Sequence, residues 1–476
     1  MTTAVVVGSG PNGLAAAVTL ARAGLEVRVV EGADTLGGGI RSAELTLPGL
    51  VHDECSGFHP FATASGFSRS FDLEAEGLRW LQPEVQYAHP LDGGRGAAAW
   101  RSVDATAEAL GGRDGRTWSR VFGPLEQRFD TIGTEFLQPV LHVPDHPVHL
   151  ARFGLRAAAP ASFTARRWKQ PEARALFAGT AAHAFRPFGS PVSSAIGVAL
   201  ATAAHRYGWP VAQGGSGAIA DALIAIGRRL GVGFDTGVMV GSLAELGSPD
   251  VVLLDTSPAA AADIVGDRMP RRIARALRGY RHGPGSFKVD FAVEGGVPWT
   301  HEPTRRAGTV HLGGDLAEVA GVEREVARGR MPERPFVLVG QQYVADPSRS
   351  AGGVDPLYAY AHVPAGFTGD ATEAITAQIE RFAPGFRDRI RAVAVRSTTE
   401  LARSNPNYVG GDIVSGANDM WQLVFRPRVT LTPYDTGVDG VYLCSAATPP
   451  GAGAHGMSGF LAANRALRKL GHDPST

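Results

Sequence analysis

The chain has 476 residues, is 44% hydrophobic and 19% charged, and carries a formal net charge of zero, a soluble globular composition with length for two or three domains. Zero net charge argues against a nucleic-acid partner, which would want a basic surface, and two cysteines, Cys55 and Cys444, suggest neither a disulfide framework nor a metal site. No apolar run approaches the roughly 18 residues of a membrane span and the N-terminus lacks a signal-peptide layout, so the cytoplasm is the expected location.

The first element is a short apolar run, Ala4–Val7, ending in Gly8-Ser9-Gly10-Pro11-Asn12-Gly13. An alanine- and leucine-rich segment runs to Gly24, and alternating Val27, Val29 and Val30 lead into Glu31. Strand, glycine turn, helix, strand and acid in register form a mononucleotide-binding βαβ unit. Gly8 permits the tight turn, and Gly10 lets backbone amides approach a pyrophosphate. Gly13 brings the helix close to the sheet. Pro11 and Asn12 complete a helix start whose free N–H groups favour phosphate. Glu31 is placed to accept hydrogen bonds from ribose hydroxyls.

Leu36-Gly37-Gly38-Gly39-Ile40-Arg41 follows, a cluster that an NAD domain does not need. It resembles the glycine-pair motif of two-dinucleotide flavoproteins of the amine oxidase and phytoene desaturase type. That resemblance implies that Gly38 and Gly39 admit the FAD pyrophosphate and flavin, with Arg41 as the basic residue. Here the arginine follows Gly39-Ile40 instead of a glycine pair directly. Leu45–Leu50 reads as a short strand and a turn at Pro48-Gly49, and His59 lies in a loop that the same resemblance leads back toward the flavin.

From about Phe71 to Trp209 the pattern is one of amphipathic helices broken by prolines. Arg152, Arg156, Arg166, Arg167, Lys169 and Arg174 stand against one acid, Glu172, among Leu150, Phe153, Leu155, Phe163 and Trp168. Such a face suits a solvated domain edge or peripheral contact with an anionic membrane. Phe177–Phe188, with His183 and Arg186, has the small and aromatic residues of an apolar cavity lining. A second glycine turn, Gly214–Gly217, then opens a helix to Leu230, with short strands around Gly233–Val240 and at Val251–Leu254. Its glycines follow a Trp-Pro turn and no acid is expected to end the next strand, so one dinucleotide site is expected, not two.

Ser286–Val293 alternates strictly, and Phe336–Gly340 and Leu357–Pro364 read as further strands of a mixed sheet, the last carrying Tyr360 and His362. A helix over Ala371–Phe382 covers it, and Asn405–Asp412 is a turn-rich loop of a kind that is often functional. Gly440–Ala446 is a buried strand running into Thr448–Gly459 and a closing helix, Phe460–Leu470.

The opening motif, the Gly214 unit, the Asn405–Asp412 loop and the closing motif together resemble the phytoene dehydrogenase-related flavoproteins, which include carotenoid desaturases, carotenoid isomerases and retinol saturase. Their His-Pro-Gly turn has Pro449 in the histidine's place here. The resemblance implies an α/β two-dinucleotide-binding-domain flavoprotein. Its Rossmann-like FAD domain would be built from residues 1–70, 205–285 and 426–476. Residues 71–204 and 286–425 would form a mixed-sheet and helical substrate domain. It also implies that Val240 lies near the adenosine and that Gly451, Gly456, Met457 and Ser458 lie along non-covalent FAD.

The activity implied is desaturation, saturation or redox-neutral isomerisation of a hydrophobic, polyene or isoprenoid-like substrate by hydride transfer at flavin N5, with oxygen or a quinone as electron acceptor. His455, His183, Arg186 and His362 are the candidate catalytic residues, because histidine moves protons near neutrality. A flavin amine oxidase and a non-catalytic prenyl or lipid carrier are the alternatives. From Thr448 to Gly459 no aromatic residue offers the cage of an amine oxidase, and the intact glycine motifs count against a carrier. Monomer and homodimer both fit the sequence.

Overall fold

The computed structural model describes residues 1–472. Two sheets organise it. The first is all parallel, in the order Val441–Leu443, Val251–Leu254, Thr3–Val7, Glu26–Val30 and Gly233–Asp235. Its central strands, Thr3–Val7 and Val251–Leu254, are nearly continuous apolar runs, as a parallel sheet covered on both faces requires, whereas Glu26–Val30 toward the edge alternates and exposes Glu26 and Arg28. Helices Pro11–Arg22, Gly217–Arg229 and Met457–Lys469 cover one face, and Pro258–Val265 and Arg271–Arg278 the other. The sheet thus draws strands from both ends of the chain, and the closing helix crosses the first so tightly that a Cβ on Gly459 would overlap the Asn12 carbonyl.

The second sheet is mixed, in the order Ile390–Arg396, Gly285–Glu294, Val354–Val363, Val337–Gly340, Ala307–Leu312, Val85–Pro90 and Gly96–Trp100. Helix Thr372–Phe382 packs on the face that carries Phe287, Val289 and Phe291. The opposite face lies under a helical layer that includes Gly112–Glu126, Pro171–Ala182, Ser194–Arg206 and Leu316–Ala327.

Several expectations change. Val85–Pro90 and Gly96–Trp100 are strands inside a region expected to be helical; their residues are almost all buried, so no alternation marks them. Leu45–Leu50 is not a strand; the short pair here is Ser42–Ala43 with His52–Asp53. The strand after the second glycine turn does end in an acid, Asp235, but that carboxylate is paired with Arg28 at 3.2 Å. The polar face of Ser286–Val293 does not meet solvent: Ser286, Lys288 and Asp290 are buried. Of the apolar residues set among the arginines, Phe153 and Trp168 belong to the core, with Phe153 stacked on Phe136 at 5.7 Å, while Leu155 and Phe163 face outward.

Candidate functional site: a glycine cradle and a buried polar sheet face

The cradle is the opening glycine turn. Gly8 has φ +96°, and a Cβ there would lie 2.8 Å from the Asp255 carbonyl oxygen. A Cβ on Gly10 would meet Asp255 Oδ2 at 2.7 Å, one on Gly38 would meet Gly10 Cα at 2.8 Å, and one on Gly13 would overlap the Gly8 carbonyl. The four glycine sites therefore hold backbone segments and a carboxylate in contact, a packing only glycine permits. The helix from Pro11 has Gly10 as N-cap and no side-chain cap. Asn12 Oδ1 is buried without a partner.

Glu31 is held by this turn: Oε2 accepts from Ser9 N at 2.8 Å and from Ser9 Oγ at 2.6 Å, and Oε1 accepts from Ala33 N at 2.9 Å. Val238 N donates to the Glu31 carbonyl at 2.9 Å, which brings Met239 over Gly32 and Val240 into the core beneath. Arg41 lies 3.4 Å from Glu54 and donates to the Ser404 carbonyl at 3.0 Å. Glu54 also pairs with Arg396 at 3.1 Å, so two guanidiniums share one carboxylate.

Asp255, ending Val251–Leu254, belongs to the cradle although the sequence reading passed over it. Its Oδ2 accepts from Gly13 N at 2.9 Å. Burial, opposed by the Gly13 amide and reinforced by the charge of Glu31, pushes its carboxyl up to about 7. The signal was present: an acid directly after an apolar strand, as with Glu31. The Asn405–Asp412 loop seats itself here through Asn407, whose Oδ1 accepts from Ser257 N at 2.7 Å and whose Nδ2 donates to the Asp255 carbonyl at 3.0 Å. Tyr408 Oη lies over Gly39.

Residues 41–59 run from the cradle onto the mixed sheet. Tyr358 Oη donates to the Cys55 carbonyl at 2.6 Å, and His52 Nδ1 lies 3.4 Å from Asp290. The sheet face met there follows from strand alternation and register. Ser286 pairs with His362, Lys288 with Tyr360 and Asp290 with Tyr358, and Leu338 pairs with Tyr360 and with His311. Tyr87 and His89 continue the row on Val85–Pro90. One face thus carries an internal stripe of Lys, Asp, Tyr and His.

Lys288 and Asp290 form a buried ion pair, with the ammonium 4.4 Å from the Tyr358 ring centroid. Burial opposes ionisation of Asp290, but the Lys288 charge and the His52 contact hold its carboxyl below the usual range. Tyr87 Oη, His89 Nδ1, Thr309 Oγ1, His311 Nδ1 and His362 Nε2 are buried without a partner. A sheet face with that many unmet polar atoms is where a ligand or water completes the bonding.

The helical layer supplies the opposing wall. His183 Nε2 lies 2.8 Å from His311 Nε2, one ring donating to the other, and burial lowers His183 to about 3. His362 pairs through Nδ1 with Glu323 at 2.7 Å and stacks on Phe185 at 3.8 Å. Phe185 holds φ +51°, left-handed backbone that a phenylalanine rarely adopts, between His183 and Arg186. Arg186 is half-buried with its Nε unpartnered, and burial lowers it.

The helical layer thus brings His183 to His311 and Phe185 to His362 of the sheet, whereas His455 lies elsewhere. His455 Nδ1 accepts from Met457 N at 3.1 Å, capping the closing helix, and burial lowers the ring to about 4. Its surroundings are Pro11, Ala62, Phe67 and Trp80. His59 is tied to Ser216 Oγ at 2.9 Å. In the closing motif Gly456 packs on Phe67 and Ala15, Met457 Sδ accepts from Phe67 N at 3.3 Å, and Ser458 Oγ donates to the Thr448 carbonyl at 3.3 Å. Gly451 abuts Arg426, a buried guanidinium bonded to the Gln422 and Ala446 carbonyls.

Residues 6–73 match the family model described as an NAD(P)-binding Rossmann-like domain. The solved structures with this architecture include putrescine oxidase bound to putrescine, 17% identical with TM-score 0.60 over 98% of each chain. Cyclohexylamine oxidase from Brevibacterium oxydans is 17% identical with TM-score 0.58, covering 99% of this chain and 100% of that one. This chain shares its fold with these two amine oxidases.

Among curated proteins, a mouse pyridine nucleotide-disulfide oxidoreductase domain-containing protein 2 is 24% identical over 304 residues, 55% of this chain and 52% of that protein. The rat protein of the same name is 36% identical over 93 residues, 19% of this chain and 16% of that one. The chain thus spans about half or less of the curated relatives it matches. No helix among the described residues is long and apolar enough to cross a membrane.

Proposed function

We propose that this chain is an FAD-dependent oxidoreductase acting on carbon–carbon bonds of a hydrophobic, polyene or isoprenoid-like substrate. The observation that carries it is a cradle with no room for a Cβ at Gly8, Gly10, Gly13 or Gly38; the buried aromatic and imidazole face of the mixed sheet, with its unmet polar atoms, supports it. When bound there, FAD would supply a hydride acceptor or donor at N5.

The chain's residues do the rest. The glycine turn and the start of the first helix bind the pyrophosphate, and Glu31 keeps lone pairs for ribose hydroxyls. Arg41 and Arg396, sharing Glu54, leave positive charge at the cradle's exit. Tyr360, Phe185 and Phe336 provide apolar surface that excludes water. Lys288 holds a proton against Asp290 at the junction of the two sheets, while His183 and His362 are the groups on the wall fitted to pass one.

The low values of His183 and His89 keep these two rings neutral at neutral pH, which suits an apolar substrate better than an ammonium. A flavin amine oxidase is the second reading, favoured by the shared fold of the two amine oxidases. Purified protein is expected to take up FAD and turn yellow. Under anaerobic conditions a polyene or isoprenoid-enone panel is expected to change the flavin's redox state while an amine panel leaves it unchanged. A colourless protein that takes up no flavin defeats the enzyme reading, and bleaching by amines alone moves the assignment to amine oxidation.

A further inference from the structure

Helix Pro147–Ala157 has an inner face that docks into the core through Phe153 and Ala157. Its outer face is apolar as well: Val148 is 59% exposed and Leu155 79%. Seven residues apart, they lie on one line along the helix, with Arg152 between them and Arg156 beside them. The segment before it adds Val143, 91% exposed, and the short helix Ala161–Ala165 after it adds Phe163, 57% exposed, followed by Arg166, Arg167 and Lys169. Arg156 is lowered first by partial burial and then by the charges of Arg167 and Arg152, so these guanidiniums crowd one another.

Among the described residues no carboxylate forms an ion pair with Arg152, Arg156, Arg166 or Arg167. Asp145 is the single acid between residues 139 and 170. The neighbouring acids are committed elsewhere: Glu135 to His142 and the His146 amide, Asp114 to the Lys169 and Gln170 amides, and Glu172 to Arg95.

We propose that this face, centred on Leu155 and Phe163 with Arg152, Arg156, Arg166 and Arg167, docks on the surface of an anionic phospholipid bilayer. Aliphatic and aromatic side chains projecting among cations fit a lipid boundary: the apolar groups enter the acyl region while arginine stems bend back to the headgroup phosphates. A soluble polyanion would use the arginines and leave Leu155, Val143 and Phe163 in water. The helix rests on the layer that contains the His183 wall, which puts the bilayer beside the part of the molecule suited to apolar molecules.

The test is co-sedimentation of the full chain with vesicles of phosphatidylcholine alone and with about a third phosphatidylglycerol. Binding is expected to the anionic vesicles only and to weaken as salt is raised. Leu155→Ser with Phe163→Ser, and separately Arg152→Glu with Arg156→Glu, are each expected to lower it by about tenfold or more. These side chains are exposed, and an unchanged thermal midpoint verifies that each variant is folded. Absence of wild-type binding overturns the proposal. So does the result that the Leu155/Phe163 variant binds unchanged and heparin is held as tightly as vesicles, which would assign the face to a soluble polyanion. Vesicle binding and flavin uptake are read separately, so neither result stands in for the other.

Discussion

The chain has two glycine turns that each open a helix, Gly8–Gly13 and Gly214–Gly217, and different groups lie against them. Around the second, Gly214 N donates to Asp346 at 2.7 Å, Ser216 N to Asp53 at 2.7 Å and Gly217 N to Ser42 Oγ at 3.0 Å. Arg349, fully buried, locks both carboxylates, at 2.6 Å to Asp53 and 3.1 Å to Asp346. Around the first, the buried carboxylate is Asp255, with no cation beside it and an ionisation raised to about 7. An anion-ready helix start is therefore filled by a permanent ion-pair network in one place. In the other it holds two acids without a cation, Glu31 on the Ser9 amide and the buried Asp255, which neutral pH leaves partly protonated. Composition alone does not separate a nucleotide site from a structural joint; the charge state of what fills the turn does.

The largest effect expected on this contrast is at Arg349. Arg349→Ala leaves Asp53 and Asp346 buried without a cation and should cost about 3–5 kcal/mol in urea unfolding. A loss below about 1 kcal/mol would mean that the second turn is no more sealed than the first.

Next is Asp255. Its folded ionisation lies above the ordinary carboxyl value, so the unfolded chain releases this proton first as pH rises. The folded state then loses stability from about pH 4 to about pH 7, by up to about 4 kcal/mol, and the penalty is constant above that. Asp255→Asn removes it. The variant should match the wild type near pH 4 and exceed it at pH 8 in paired denaturation curves. A difference that does not widen with pH would sink this account.

The smallest effects come from the glycines themselves. Gly13→Ala drives a methyl into the Gly8 carbonyl and is expected to weaken FAD uptake by about a hundredfold. Gly214→Ala meets open space at φ +77° and should cost about 1 kcal/mol of stability with FAD uptake unchanged in titration. Equal loss of FAD from both variants would erase the distinction between the turns.

Much of this was legible in the residues. The apolar run, glycine spacing and Glu31 mark the first βαβ unit, because local φ/ψ freedom and strand periodicity are properties of short segments. The 2-residue alternation of Ser286–Val293 correctly put Lys288 and Asp290 on one face, but what that face meets depends on neighbours about 70 residues away in sequence. Val85–Pro90 escaped notice because a central strand buried on both faces shows no alternation. His311 gave no signal at all: a lone histidine in an apolar strand acquires meaning only when His183 reaches it from the helical layer. His455 drew attention through its glycine loop, and the structure uses it as a helix cap, since a ring nitrogen two residues before a free amide finds that bond locally.

By itself, the sequence determined the dinucleotide-type opening, the parallel strands that belong with it and the glycines that no side chain can replace, because each rests on steric limits within a few residues. Only the tertiary structure decided which glycine turn is sealed by Arg349, which acid stands under the open one, and which histidines, tyrosines and lysine share a wall. Those are long-range electrostatic and packing facts: a charge's partner and its distance from water are set by segments far apart in the chain, and neither is written in the residue that carries the charge.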